Sequence, residues 1–209
     1  VTNKEDLKAE KSKSFDIGYE TKIEKINTDF VVSFYKIDYE DALEGWQSNG
    51  WKIKNTTAKV ESKGIEFEAI WKKNENFNIL TNYNYTDTYD GADCDDPNVG
   101  STSCIDQSMV RIPRHSFVTD FMFKNNINFE NKFSINYSDE VRDYGNGNNS
   151  FKDVILDEYM VVDYSGVYNL FNKTSLYFNI NNIFNNNYEQ AFMYSSMDRT
   201  ANIGFKSIF

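Results

Sequence analysis

A hydrophobic pattern of period two recurs along most of this 209-residue chain and leaves few folds open to it. Phe15, Ile17, Tyr19 and Ile23 alternate with Asp16, Gly18, Glu20 and Lys22, and Ile65, Phe67, Ala69 and Trp71 with Gly64, Glu66, Glu68 and Ile70. Phe77, Ile79, Thr81, Tyr83 and Tyr85 alternate with Asn78, Asn82 and Asn84, and Phe117, Thr119, Phe121 and Phe123 with Ser116, Asp120 and Lys124. Phe133, Ile135 and Tyr137 repeat the theme, as do Val162, Tyr164, Tyr168 and Leu170, then Leu176, Phe178 and Ile180. Successive side chains of a strand point to opposite faces, so each segment reads as a strand with one apolar and one polar side. Each is about as long as the roughly 9 to 11 residues of a tilted membrane strand. In the segment Thr28–Glu40, Phe30, Val32 and Phe34 lie on one parity and Tyr35, Ile37 and Tyr39 on the other, which predicts a β-bulge between them.

The connections carry the second constraint. Short polar turns near 25–27, 73–76, 125–128 and 172–173 alternate with long segments at about 41–55, 87–112, 142–158 and 185–198. Strict alternation of tight turns and long loops is the habit of an outer-membrane barrel, with turns in the periplasm and loops outside. A soluble meander has no reason to sort its loops by end. The fold class is therefore all-β, an antiparallel transmembrane β-barrel. The strand count, about nine, is odd where bacterial single-chain barrels are even, so the chain reads as the C-terminal part of a larger barrel.

Composition supports strands over helices as the crossing element. Aromatic residues make up 16% of the chain, yet its mean hydropathy is -0.64. No stretch approaches the roughly 20 apolar residues of a membrane helix. A barrel tolerates such polarity because every second residue faces the lumen. Only Pro97 and Pro113 interrupt the backbone's donors, which leaves long strands possible. The net charge of -10, with no basic stripe, argues against nucleic acid as a partner. Val1 opens the charged run VTNKEDLKAEKSKS, without the apolar core of a signal peptide, so the chain reads as a mature product or a fragment.

The last eleven residues, RTANIGFKSIF, place Ala201, Ile203, Phe205 and Phe209 on one face and Asn202, Gly204 and Lys206 on the other. A terminal Phe after such alternation resembles the assembly signal of outer-membrane barrels, with Phe209 as its recognition element; Ser207 departs from the usual apolar residue. Five further blocks, LKAEKSKSFDIGYE, KVESKGIEFEA, RIPRH, VVDYSGVYNL and NINNIFNNNYE, together with this terminus, resemble successive strands of TonB-dependent outer-membrane receptors over nearly the whole chain. The look is closest to the cobalamin-transporter-like branch. The resemblance implies a plugged barrel of about 22 strands, of which residues 1–209 hold about the last nine, without the plug domain and its TonB-contacting segment. It further implies the outer membrane of a Gram-negative bacterium, a periplasmic C-terminus, and TonB-coupled import of cobalamin or a ferric siderophore. No cofactor is expected.

Individual residues mostly have structural readings. Cys94 and Cys104 sit in a polar loop segment, where an oxidising compartment favours a disulfide; two thiols and the distant His115 do not make a metal site. Asp90, Asp93, Asp95 and Asp96 offer hard oxygen ligands for calcium, although their spacing does not fit an EF-hand loop. Trp46 and Trp51 flank a Gln-Ser-Asn-Gly turn and either stack on a large planar ligand or pack the loop. Gly64 reads as relief of crowding, Asp163 and Arg199 as members of lumen networks. Glu66 and Glu68 share a face as a catalytic pair would, but charges on a lumen face serve the plug, and one histidine without a placed nucleophile makes no triad, so no catalytic residue is expected. The competing classes are a passive porin-like channel, an outer-membrane enzyme and a soluble β-sandwich lectin.

Overall fold

The computed structural model describes residues 7–47, 51–56, 58–91, 108–147, 150–171 and 173–208. In chain order the strands are β1 (Lys11–Ile23), β2 (Thr28–Glu40), β3 (Leu43–Gln47), β4 (Trp51–Asn55), β5 (Val60–Asn74), β6 (Phe77–Asp90), β7 (His115–Asn126), β8 (Phe129–Ser138), β9 (Val141–Gly147), β10 (Ser150–Leu156), β11 (Tyr159–Phe171), β12 (Thr174–Asn181), β13 (Glu189–Ala191), β14 (Tyr194–Ser195) and β15 (Thr200–Ser207). Nine of them form one antiparallel sheet in the order β1-β2-β5-β6-β7-β8-β11-β12-β15, so every neighbour in the sheet is a neighbour in the chain once the small hairpins are set aside. Three separate two-stranded hairpins, β3-β4, β9-β10 and β13-β14, sit in the long connections. The sheet is not closed: β1 and β15 are its two edges.

Register sorts the side chains into two faces. One row runs Tyr19, Val32, Phe67, Tyr83, Phe117, Tyr137, Met160 from strand to strand, and the row beside it on the opposite face runs Gly18, Ser33, Glu66, Asn84, Ser116, Ser138, Tyr159. Phe67, Phe121 and Phe178 share the first face; Glu66, Asp120 and Asn179 share the second. Phe30 meets Phe67 at 5.1 Å, Phe77 meets Phe123 at 4.7 Å and Phe133 meets Tyr164 at 4.6 Å, so cross-strand aromatic pairs tile the apolar face. On the other face Asp120 accepts from Lys132 Nζ at 3.1 Å and from the Ser134 hydroxyl.

Almost nothing is buried between layers. Val60, Leu156 and Val161 are the buried hydrophobic side chains among the described residues, while Ile203 and Phe205 are 76% and 75% exposed. No second large sheet covers either face among the described residues. A soluble sandwich hides its apolar faces against each other, so that reading fails; a wall with lipid on one side and a polar lumen on the other needs no such layer.

Three local expectations are corrected. Six of the nine sheet strands exceed membrane length, with β5 reaching 15 residues and β6 14, because they continue past the apolar rows toward the long connections, whereas β8, β12 and β15 have 10, 8 and 8. No bulge interrupts β2, whose pairing with β1 and with β5 is continuous. Tyr35 instead lies on the polar face opposite Gly64, with its hydroxyl 3.0 Å from Thr86 Oγ1. The register shifts within the nine-stranded sheet, at Lys72/Asn74, Lys124/Asn126 and Asn169/Phe171, lie beside the short turns, where extra twist helps reverse the chain. The long connections at 41–55, 142–158 and 185–198 are hairpins rather than irregular loops.

Gly64 faces Tyr35, Gly166 faces Phe178 and Gly204 faces Tyr177, each as a direct cross-strand pair. In every case the ring occupies the space a β-carbon would need. An aromatic ring folded over a strand glycine recovers the packing the glycine lacks.

Candidate ligand-facing site

The polar face and the long connections meet in a hollow of about 560 Å³, lined among others by Asn82, Asn84, Asn136, Asp139, Asp163 and Tyr188. Its lining residues from β6, β7 and β8 include the even-numbered Asn82, Asn84, Ser116, Asn136 and Ser138, so the polar face is the concave one at this end. A second hollow of about 790 Å³ lies between β10 and the last long connection, lined by Leu156, Asp157, Glu158, Tyr188, Phe192 and Asp198 among others. Tyr159 and Tyr188 stack at 4.3 Å and 25°, joining β11 to the last connection where both touch the first hollow.

Three connections are tied together by one carboxylate. Asp143 in β9 is 0% exposed. Its Oδ1 accepts from Arg111 Nε at 2.9 Å and from the Tyr144 amide at 2.7 Å, and its Oδ2 accepts from the Phe192 amide at 2.7 Å. Burial pushes the Asp143 carboxyl upward, but the Arg111 guanidinium and the two backbone donors outweigh it and hold the group below its ordinary value. The Arg111 amide also donates to the Arg142 carbonyl at 2.9 Å, with Arg111 itself in the left-handed region at φ 62°. Beside it Arg142 and Asp153, both buried, pair across the β9-β10 hairpin at 3.1 Å. A buried pair of this kind costs desolvation and fixes one geometry in return.

The last connection is pinned again at its start. Asn182, at φ 53°, donates its amide to Asp163 Oδ1 at 2.8 Å, accepts from the Asn186 amide at 2.9 Å and donates its side chain to the Asn186 carbonyl at 2.9 Å. The Ile183 amide reaches the Val162 carbonyl at 2.8 Å, so the chain leaves β12 and folds back over β11.

Of the residues singled out in the sequence, Asp163 belongs to the concave wall, where Asn136 Nδ2 donates to its Oδ2 at 3.2 Å. Arg199 donates to the Ile183 carbonyl at 3.3 Å, and its amide reaches Asn185 Oδ1 at 2.7 Å, within the last connection. His115 opens β7 on the apolar face, with Nδ1 2.8 Å from the Tyr83 hydroxyl. Trp46 and Trp51 lie on β3 and β4, where Trp46 pairs with Lys52 and Gln47 with Trp51. Asp90 ends β6. Cys94, Cys104, Asp93, Asp95, Asp96 and Phe209 lie outside the described residues. The ties at Arg111, Arg142, Asp143, Asp153 and Asn182 carried no signal in hydrophobic periodicity, which speaks to strands and not to the segments between them.

The family model described as TonB dependent receptor-like, beta-barrel, matches residues 1–183. This chain belongs to the TonB-dependent receptor family. No curated protein sequence matches it. Among solved structures, the ferric-catecholate import receptor Fiu of Escherichia coli K12 superimposes with a TM-score of 0.76 at 15% identity, covering 99% of this chain and 29% of the receptor. The ferric enterobactin receptor of Pseudomonas aeruginosa gives 0.75 at 16% identity, over 96% of this chain and 32% of the receptor. The ferripyoverdine receptor of the outer membrane of the same organism gives 0.73 at 14% identity, over 96% and 27%. This TonB-dependent receptor chain thus spans about a third or less of the length of those structures. At such identities the superposition establishes the fold of the barrel wall.

Proposed function

We propose that residues 1–209 form the C-terminal part of the barrel of an outer-membrane receptor that imports an iron–siderophore complex by TonB-coupled active transport. The observation that carries the reading is the sorting of the sheet: a polar concave wall, an apolar outer face, and long connections tied together at one end over a hollow. Such a wall suits lipid outside and a hydrated, plug-filled lumen inside. The solved relatives named above are receptors for ferric siderophores, which favours that cargo over cobalamin. The long connections then face outward from the cell, the short turns and the C-terminus face the periplasm, and the plug domain and the TonB complex are the partners that couple energy to uptake. Trp46 and Trp51, on the β3-β4 hairpin, are the candidate contacts to the cargo in this reading. The reading is one of transport and not of catalysis.

A passive porin-like channel is the competing reading. Uptake of radiolabelled iron–siderophore complexes by cells carrying the full-length protein, with and without TonB, separates the two. Uptake that requires TonB is expected; equal uptake without TonB overturns active transport and leaves the channel.

A further inference from the structure

We propose that the two hollows select an iron complex that is itself cationic, a ferric tris-hydroxamate carrying a free ammonium, over an anionic ferric tris-catecholate. The proposal rests on the transport reading given above and adds the charge class of its cargo. Both hollows are lined by Asp157, Tyr188 and Glu189, so they adjoin. Asp139 and Asp163 line the first as well, and Glu158 and Asp198 the second.

Nothing in the lining balances these six carboxylates. Arg111 is the one lysine or arginine in either lining among the described residues, and the fully buried Asp143 takes up its charge at 2.9 Å. None of the six has an ion-pair partner among the described residues. The imbalance extends beyond the lining: residues 108–115, 139–163 and 185–199 hold nine carboxylates against five lysine and arginine side chains. Of those five, Arg142 is committed to Asp153, and Arg199 donates to the Ile183 carbonyl. A cleft lined by charge of one sign concentrates ligands of the other.

The stacked Tyr159 and Tyr188, both half-buried, point the same way and line the first hollow together. Burial first, then Tyr159 and Asp163, hold the Tyr188 phenol above its ordinary value, so it stays protonated and presents a neutral ring. Aromatic faces attract cations, as carboxylates do, and both disfavour an anion. No three acidic or histidine side chains among the described residues converge to hold a bare metal ion, so the wall reads the net charge of a bulky cargo and does not chelate its iron. In iron(III) complexes that charge is set by the chelating groups. Three catecholate dianions leave a trianion; three hydroxamate monoanions leave a neutral complex, which an ammonium on the ligand backbone turns into a cation. The trianion meets uncompensated charge of its own sign in these hollows, and the ammonium complex meets the opposite sign.

The test measures binding of three iron(III) complexes to the full-length receptor in a non-ionic detergent: a tris-hydroxamate with a free ammonium, the same ligand acetylated at that amine, and a tris-catecholate. Acetylation keeps the iron centre and removes the charge. The ammonium complex should bind roughly ten-fold more tightly than the acetylated one at low salt, with the tris-catecholate weakest, and the preference should shrink as salt is raised. Asp157→Asn/Glu189→Gln should reduce the preference to roughly two- to three-fold. If that variant does not fold, Asp157→Asn alone, at an exposed position, should roughly halve it. Equal affinity for the ammonium and acetylated complexes, tightest binding of the tris-catecholate, or an unchanged preference in the variants would each overturn the proposal. TonB-dependent uptake of the tris-catecholate in preference to the others would overturn it and leave the transport reading standing. Preferential binding of the ammonium complex with uptake independent of TonB would do the reverse, and binding of none of the three would overturn both.

Discussion

Gly64 offers the sharpest test of how the wall is packed. A β-carbon built there collides with the Tyr85 carbonyl oxygen, which belongs to the backbone of β6, and meets Tyr35 Cε1 and the Tyr35 hydroxyl at 2.7 Å. The ring can move only by giving up its bond to Thr86, and the carbonyl can move only by bending a strand paired on both sides. Overpacking costs about 1–3 kcal/mol and the lost hydrogen bond about 1 kcal/mol. Replacing a strand glycine recovers about 0.5–1 kcal/mol of backbone entropy. Gly64→Ala should therefore destabilise the full-length receptor by about 2–3 kcal/mol. Gly166 and Gly18 supply the comparison. At Gly166 the new carbon meets only the side chain of Phe178, which can swing outward, so Gly166→Ala should cost about 1 kcal/mol or less. At Gly18 the nearest atoms are 3.5 and 3.6 Å away, ordinary contact, so Gly18→Ala should be neutral or stabilise by up to about 1 kcal/mol. Urea unfolding in detergent, followed by tryptophan fluorescence, gives all three. An order other than Gly64, Gly166, Gly18 would refute the argument from fixed and movable neighbours.

Four further outcomes follow from the same wall. Phe121→Arg on the apolar face should cost about 2–4 kcal/mol near the bilayer midplane and Asp120→Asn on the concave face much less, so equal losses in unfolding would reverse the face assignment. Because the folded Asp143 carboxyl is held below its unfolded value of about 3.9, its stabilisation is complete above that pH and is lost as pH falls through the folded value; protease cutting in the last connection should rise there, and Asp143→Asn should raise it already at neutral pH. Cys94 and Cys104 should resist thiol labelling in unreduced protein, a short closed loop being worth roughly 2–3 kcal/mol, and full labelling of both would exclude the disulfide. Deleting Phe209 should reduce the amount of heat-modifiable, membrane-inserted receptor, and undiminished insertion would remove it from the assembly signal.

The wall was legible because a strand repeats its instruction at every second residue. Phe67 against Glu66, Phe121 against Asp120 and Phe178 against Asn179 each state the same face, and an isolated exception does not spoil the vote. Tyr35 shows where that reasoning slips. A tyrosine counts as apolar in a periodicity, yet its hydroxyl bonds Thr86 and its ring covers Gly64, so it belongs on the polar face without any bulge. Val31, Val118 and Ile70 likewise stand on the concave parity. Apolar residues on a lumen wall are cheap, whereas carboxylates in hydrocarbon are not, so the charged positions were the reliable guide to the face.

The ties above the lumen were not legible for a different reason. Arg111 and Asp143 lie 32 residues apart and Phe192 lies 49 beyond Asp143, with no repeat to announce that they meet. One consequence is mechanical. The Arg111 segment, the β9-β10 hairpin and the last connection share one buried carboxylate, so moving any one of them away from the others breaks at least one hydrogen bond to a charge, worth about 1.5–3 kcal/mol, and strands part of Asp143 without a partner. The last connection would also have to release Asn182 from Asp163 and Ile183 from Val162. These three segments therefore move as one body. The β3-β4 hairpin, which carries Trp46 and Trp51, is tied down elsewhere, by the Thr56 amide to the Ala42 carbonyl at 2.8 Å and by Asn55 to Lys8. Displacing that hairpin relative to the other three segments therefore breaks none of the hydrogen bonds to Asp143.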